Sequence, residues 1–371
     1  MGAGAAAGAL GRVVAVDWSG ARDARAGVWL AQVDDGEVVR LAGGMQWFAA
    51  YEVRQGGTRR TIPIPQFERT VWAEDERAAA LHRAITAPRP ALQLGSRTLR
   101  FDQSQVMGIL NVTPDSFSDG GRHSGEHGAD PVAAGVGMAA DGAAVIDVGG
   151  ESTRPGAQVV WEEDERRRVQ PVVEGLAAAG TLVSVDTRKA LVMEAAIGAG
   201  AAIVNDVSAL MWDARALEVV AHAGCPVVLM HSPEPEKEPH GGSGYRDVLT
   251  EVFDWLEARV AAVVAAGVAR DRIIVDPGIG FGKSLGDNLA LLNGLAMFHG
   301  LGCPLVLGAS RKRMIGALSN EAPVERRLGG SVALALAGAQ AGVQLLRVHD
   351  VFETVQALRV WRGMRDRALV G

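Results

Sequence analysis

Eight short apolar runs, each ending in polar or glycine residues and each followed by a helical stretch, recur from residue 105 onward. They read QVMGILNVT (105–113), AAVIDVGGES (143–152), LVSVDT (182–187), AAIVNDV (201–207), PVVLMHS (226–232), RIIVDPG (272–278), PLVLGAS (304–310) and LLRVHD (345–350). Runs that are apolar throughout, rather than alternating, suit parallel strands covered on both faces. Between them lie Ala-, Leu- and Val-rich segments with helical spacing, among them 163–179, 188–199, 246–266 and 324–341. Asp186-Thr187 reads as a start signal for the third helix. Strands alternating with helices imply right-handed βαβ units and a parallel sheet. Eight units in roughly 260 residues match a TIM-type (β/α)8 barrel better than an open doubly wound sheet.

A barrel of this kind predicts where chemistry sits, because the loops that follow the strands build one rim. The strand ends deliver Asn111, Glu151 with Thr153 and Arg154, Asp186, Asn205, Met230 with His231, Asp276, Lys312, and Arg347 with His349. Any one of these reads equally well as a helix N-cap or turn residue. A polar group at nearly every strand end of one rim has no such simple structural explanation.

Composition narrows the classes. The chain has 371 residues, 48% hydrophobic and 22% charged, enough for a large core with an extension or second domain. A net charge of −6 argues against a general nucleic-acid or anionic-membrane binder, so anion sites must be local clusters. Cys225 and Cys303 each stand in a Gly-Cys-Pro step before an apolar run, as small buried residues rather than a disulfide or metal pair. The start MGAGAAAGALG lacks a basic region and runs into the strand-like RVVAVDW, so neither a signal peptide nor a membrane span is expected, and the expected location is the cytoplasm.

Several blocks are more specific: MGILNVTPDSFSDGG (107–121), DVGGESTRPGA (147–157), SVDT (184–187), NDV (205–207), DPGIGFGKS (276–284), GASRKRMIG (308–316) and RVHDV (347–351). In this order they resemble the signature blocks of dihydropteroate synthases, over residues 105–360. The resemblance implies alkyl transfer from a dihydropterin pyrophosphate to p-aminobenzoate, with Mg2+ as cofactor and a homodimer as the usual assembly. It implies pterin binding by Asp186, Asn205, Met230, Asp276 and Lys312. Pyrophosphate falls to Asn111, Arg154, Arg347 and His349, with Asn111 also at the metal. The p-aminobenzoate side falls to Phe117, Thr153, Arg154, Pro155 and Phe281.

The residue chemistry stands beside that resemblance. A carboxylate accepts from two neighbouring N–H groups of a 2-amino-4-oxo-pyrimidine edge, and an Asn amide matches a donor–acceptor edge. Arg347 and His349 stand two apart on one strand, hence on one side, near the phosphate site common after strands seven and eight. The polar loop 113–121 and the Gly-rich GGESTRPGA suit mobile covers, the second carrying the Arg154 guanidinium. GIGFGKS meets neither the P-loop nor the dinucleotide spacing. No Ser-His or Cys-His pair stands at the strand ends, so a protein nucleophile is not expected. A pterin-dependent methyltransferase would share Asp186, Asn205 and Asp276 but has less use for the lid loops and the SRK and RVHD blocks; a pterin-binding paralogue without turnover would not need Asn111, Arg154, Lys312, Arg347 and His349. Two positions depart from the family pattern: Ser232-Pro-Glu-Pro-Glu after His231, and Arg313 where Ser is common.

Residues 1–100 stand outside the repeat and read as a small β-rich extension, before a catalytic barrel over 101–371. Short strands are expected at 12–18, 26–33 and 37–41, a hairpin with a Gly-Gly turn within 44–72, and a helix over 73–86.

Overall fold

The computed structural model describes residues 13–15, 38–55, 58–72, 75–113, 130–152, 157–237 and 244–370. The amino-terminal part contributes β1 (Val13–Ala15), β2 (Val39–Arg40), β3 (Trp47–Phe48), β4 (Ala50–Gln55) and β5 (Thr58–Pro63). β4 pairs antiparallel with both β1 and β5, and β2 pairs with β3. Tyr51, Val53 and Ile62 alternate toward a buried side, as a half-covered hairpin requires. The expected strand at 26–33 lies outside the described residues. The expected hairpin ends early, because Ile64–Phe67 is a helical turn that runs on into a π-type turn, Glu68–Trp72. Pro65 sits in its first turn, where a missing N–H costs nothing, and Ile64 and Phe67 are buried. A helix then covers Glu76–Thr86, capped by Asp75, whose carboxylate accepts from Ala78 N.

Next comes a hairpin of β6 (Leu92–Leu94) and β7 (Arg97–Leu99), turning at Gly95 with φ +62°. Eight strands follow: β8 (Gln105–Asn111), β9 (Val145–Gly149), β10 (Val183–Asp186), β11 (Ile203–Asp206), β12 (Val227–Met230), β13 (Ile273–Asp276), β14 (Val306–Leu307) and β15 (Leu345–Val348). Every neighbouring pair is parallel, and β15 returns to β8. A bridge between Val275 and Leu305, with Val275 N donating to Pro304 O at 2.9 Å, joins β13 to the β14 segment and closes the ring. The expected barrel is therefore the observed one.

Its helices sit between the strands, at Pro131–Asp141, Glu162–Ala178, Ala190–Gly198, Ala216–Ala223, Val248–Ala265, Leu285–Asn293, Arg313–Leu318, Leu328–Gln340 and Val351–Val370. Local signals explain most boundaries. Asp130 caps the helix that Pro131 opens, its carboxylate accepting from Val132 N, and Gly142 closes that helix at φ +113°, while Ser284 and Asp287 form a reciprocal capping box. The stretch expected as one helix over 324–341 divides into a 3-10 turn, Val324–Arg326, and the helix from Leu328. Among the described residues no helix is long and apolar enough to cross a membrane. Cys225 and Cys303 are free and stand just ahead of β12 and β14; Cys303 is buried as expected, whereas Cys225 is only half-buried.

Two apolar layers result. The larger lies between sheet and helices and continues into the amino-terminal part through Phe48, Tyr51, Phe67, Leu81 and Ile85. The smaller lies inside the barrel at its base, where Leu92, Leu99 and Phe101 meet Met107, Val145, Leu182, Ile203, Val228, Ile274, Val306 and Leu345. The β6–β7 hairpin thus plugs the end where the strands begin. Arg89 ties this region to the barrel, donating to the carbonyls of Ala84, Ala87, His299 and Cys303.

Candidate active site

Successive side chains on a strand face opposite ways, so inward positions recur every second residue. Two residues above the apolar base the inward set becomes Asp147, Ser184, Asn205, Met230, Asp276 and Arg347. Asn111, Gly149 and Asp186 follow at the strand ends. Along β9, β10, β11, β13 and β15 the change from apolar to polar happens within a single inward step, whereas β8 keeps Ile109 and β12 keeps Met230 at that level.

Asp147 organises this layer. Arg347 donates through Nε to Asp147 Oδ2 and through Nη2 to Asp186 Oδ2, both at 2.6 Å. Asn205 Nδ2 donates to the same Asp147 oxygen at 2.9 Å. Asp147 is fully buried, and no partner among the described residues reaches its Oδ1 or the Oγ of Ser184, its register neighbour. Burial works against the charge on Arg347, but the two carboxylates outweigh it and hold the guanidinium above its ordinary range. Burial pushes Asp186 up to about 7 against the pull of Arg347, with Asp147 adding to the rise. Gly149 separates two neighbours here: a Cβ on it would stand 3.5 Å from Asp186 Cβ and 3.7 Å from Asn111 Oδ1. Asn111 and Asp186 therefore flank one small residue.

The opposite wall is built from the loops after β13 and β14. Asp276 Oδ1 accepts from Gly278 N at 2.7 Å, as an Asp-Pro turn allows. Its Oδ2 is turned toward Gly308, beside the Arg347 stem. Burial raises Asp276, opposed by the Gly278 N–H and by Lys312. Lys312 Nζ lies 4.1 Å from the Phe281 ring centroid, a cation–π contact. Phe281 forms a small apolar cluster with Val207 and Met230. Burial lowers the Lys312 amine to about 8, with Arg347 pushing the same way and Asp276 and Asp186 resisting.

The turn carrying Lys312 is held from behind. Arg311 adopts φ +55°, its N–H donates to Ser331 Oγ, its carbonyl accepts from Arg327, and its guanidinium pairs with Asp350. Contrary to the expectation that no Ser-His pair stands at the strand ends, Ser310 Oγ accepts from His349 N and lies 3.0 Å from His349 Nδ1, a contact that fixes that ring at the end of β15.

Asn111, Asp186, Asn205, Met230, Asp276, Phe281, Lys312, Arg347 and His349 thus all belong to the mouth end of the barrel. Phe117, Thr153, Arg154 and Pro155 lie outside the described residues. Two other strand-end groups serve the scaffold. His231 packs against Tyr245 and Trp255, and burial drives its pKa down to about 2. Glu151 pairs with Arg188 and Lys189, and Lys189 reaches on to Glu165, in a buried network. The expectation that Asp186-Thr187 starts the third helix is corrected: that helix begins at Ala190, whose N–H is taken by Asp213 Oδ2. Asp186 is left for the mouth. Sequence alone gives Asp147 and Lys283 little prominence, although they lie within DVGGESTRPGA (147–157) and DPGIGFGKS (276–284). Asp147's signal was a charge set two residues along from Val145 inside an apolar run.

The family described as pterin binding enzyme matches residues 107–349. A dihydropteroate synthase of Escherichia coli is 47% identical over 264 residues, covering 71% of this chain and 92% of its own. The solved Xanthomonas albilineans dihydropteroate synthase with 4-aminobenzoic acid is 48% identical at a TM-score of 0.69, over 75% of this chain and 98% of its own. The same organism's enzyme in complex with 7,8-dihydropteroate gives 46% identity and a TM-score of 0.66, over 74% and 99% of the two chains. About a quarter of this chain therefore has no counterpart in those structures.

Proposed function

Since the chain belongs to the pterin binding enzymes, and among them to the dihydropteroate synthases, we propose a division of its own residues between the two halves of that reaction. The enzyme condenses 6-hydroxymethyl-7,8-dihydropterin pyrophosphate with p-aminobenzoate, giving 7,8-dihydropteroate and pyrophosphate. The aryl amine nitrogen forms a bond to the pterin methylene, the methylene C–O bond breaks, pyrophosphate leaves with that electron pair, and the amine sheds a proton.

The pterin rests on the polar layer, with Asp186, Asn205 and Asp276 facing its N–H edge, Lys312 its oxo or ring nitrogen, and Met230 its face. The observation that carries this assignment is the ion triplet Asp147–Arg347–Asp186, with Asn205 on the same carboxylate. It places hydrogen-bonding groups of both polarities, fixed in advance, on the floor of a low-dielectric cup, where they act most strongly. As the methylene becomes cationic, Asp186 and Asp276 oppose the growing charge.

Arg347 and His349 take the pyrophosphate, joined by Asn111 at the rim. Asn111 supplies one amide oxygen beside Asp186, and no group of three or more His, Cys, Asp or Glu among the described residues could hold a metal. So sparse a set suits a Mg2+ ion that keeps its waters and is bound largely through substrate phosphate. Bound there, Mg2+ would offset charge on the leaving group. Phe281 and the Lys312 stem form the acceptor wall. Phe117, Thr153, Arg154 and Pro155 are assigned to the acceptor side, and Arg154 also to the pyrophosphate, by family resemblance. For the assembly we propose a homodimer; Phe352, Val360 and Met364 offer exposed apolar groups on the last helix.

Pyrophosphate release that depends on p-aminobenzoate, measured with dihydropterin pyrophosphate and Mg2+, tests the assignment. Lys312→Ala should lose pterin affinity, and Arg347→Ala should also lose pyrophosphate binding. Turnover like the wild type in both would sink it.

A further inference from the structure

Lys283 follows Phe281 by two residues, in the loop after β13, and the reaction described above makes no use of it. Its Nζ donates to Gly278 O at 2.8 Å, to Phe281 O at 3.0 Å and to His231 O at 3.3 Å. An ammonium has three N–H donors and no lone pair, so three carbonyl acceptors exhaust it. A group so occupied does not shuttle protons. It holds backbone in place.

What it holds is specific. His231 belongs to the loop after β12, whereas Gly278 and Phe281 belong to the loop after β13. The two loops meet closely here, since a Cβ on Gly278 would stand 2.0 Å from His231 O and 3.1 Å from Lys283 Nζ. Gly278 also sits at φ +71°, so no other residue fits comfortably. Through its N–H, Gly278 fixes Asp276 Oδ1. Through its ring, Phe281 carries Lys312 Nζ. The pterin-edge carboxylate and the acceptor wall are therefore both attached to backbone that Lys283 grips.

We propose that Lys283 is a positioning residue for both substrates, a clip across two loops that sets Asp276 and the Phe281–Lys312 pair relative to each other. The inference rests on the roles given above to Asp276 and Phe281. Burial pushes the Lys283 amine down to about 7, against the pull of Asp276. The three carbonyls favour the charged form in turn.

The test uses the full-length enzyme with Mg2+, dihydropterin pyrophosphate and p-aminobenzoate. Lys283→Met keeps the stem and removes the donors. KM should rise about tenfold for both substrates, as expected from losing charge-assisted hydrogen bonds, while kcat falls less than about threefold. Lys283→Arg keeps the cation and should restore part of both KM values. A lower kcat and lower Tm with both KM values unchanged would mean a structural role only, and a rise in one KM alone would break the claim of a shared clip. Should Lys283→Met fail to fold, Lys283→Gln carries the same test, because its amide reaches only some of the carbonyls. Asp276→Asn separates this proposal from its premise. If that variant leaves the pterin KM unmoved, the assignment of Asp276 fails. If it raises the pterin KM while the Lys283 variants leave both substrates alone, only the clip fails.

Discussion

The two ends of the barrel interior are built on the same strands and differ by one inward step. Val145 lies below Asp147, Ile203 below Asn205, Ile274 below Asp276 and Leu345 below Arg347. At the base, side chains without polar atoms fill the space and meet a plug of Leu92, Leu99 and Phe101. At the mouth, the same geometry holds two carboxylates around one guanidinium. A buried ion set of this kind is weak as a source of stability, because desolvation consumes most of the attraction. An apolar base adjacent to it supplies stability instead. Folding and chemistry are thus separated along the strand axis by about 7 Å, the rise of two residues.

Substitutions can break that separation. The largest effect is expected at Arg347: Arg347→Ala leaves Asp147 and Asp186 buried without their cation, so kcat/KM should fall at least about 1,000-fold and stability by roughly 3–5 kcal/mol. Pyrophosphate-release kinetics and denaturant unfolding read both. At the base, Ile203→Ala should cost about 2–5 kcal/mol in unfolding while leaving both KM values near the wild type. If KM moved as much as stability there, the two layers would not be separable. A milder change, Asp147→Asn, keeps an acceptor for Asn205 but weakens the hold on Arg347. It should lower kcat/KM about tenfold with a small stability change. The smallest effect is a pH step. With Asp186 near 7, its carboxyl is mostly protonated at pH 6 and mostly ionised at pH 8, so pterin affinity should rise up to about tenfold across that window. Asp186→Asn should flatten the step; titration calorimetry with the pterin checks it.

Legibility in the sequence followed the physics of each part. Parallel strands covered on both faces must be apolar throughout, so all eight announced themselves, and the polar residue ending each marked Asn111, Asp186, Asn205 and Asp276 for the mouth. Asp147 escaped because it sits inside an apolar run, and its importance comes from Arg347, 200 residues away. Lys283 escaped because its partners are backbone carbonyls, which leave no trace in side-chain chemistry. His231 and Glu151 looked like site groups because they follow strand ends, yet which way a loop side chain turns depends on packing against Tyr245, Arg188 and Lys189. The β6–β7 hairpin leaves only a short signal, two three-residue runs either side of Gly95-Ser96. The turn to helix at Ile64 shows tertiary burial of Ile64 and Phe67 overriding a β-like pattern.

The plugged base has a consequence for traffic. A ring of eight strands stopped at one end is a cup with a single door, and molecules that share it must queue. On the proposed placement of the pterin, a ring lying on the Asp147–Arg347 floor would have to arrive before anything that lies above it, and could not depart while the upper place is filled. That placement would make topology, before any affinity is considered, set the order in which substrates arrive and require the joined product to leave as one piece.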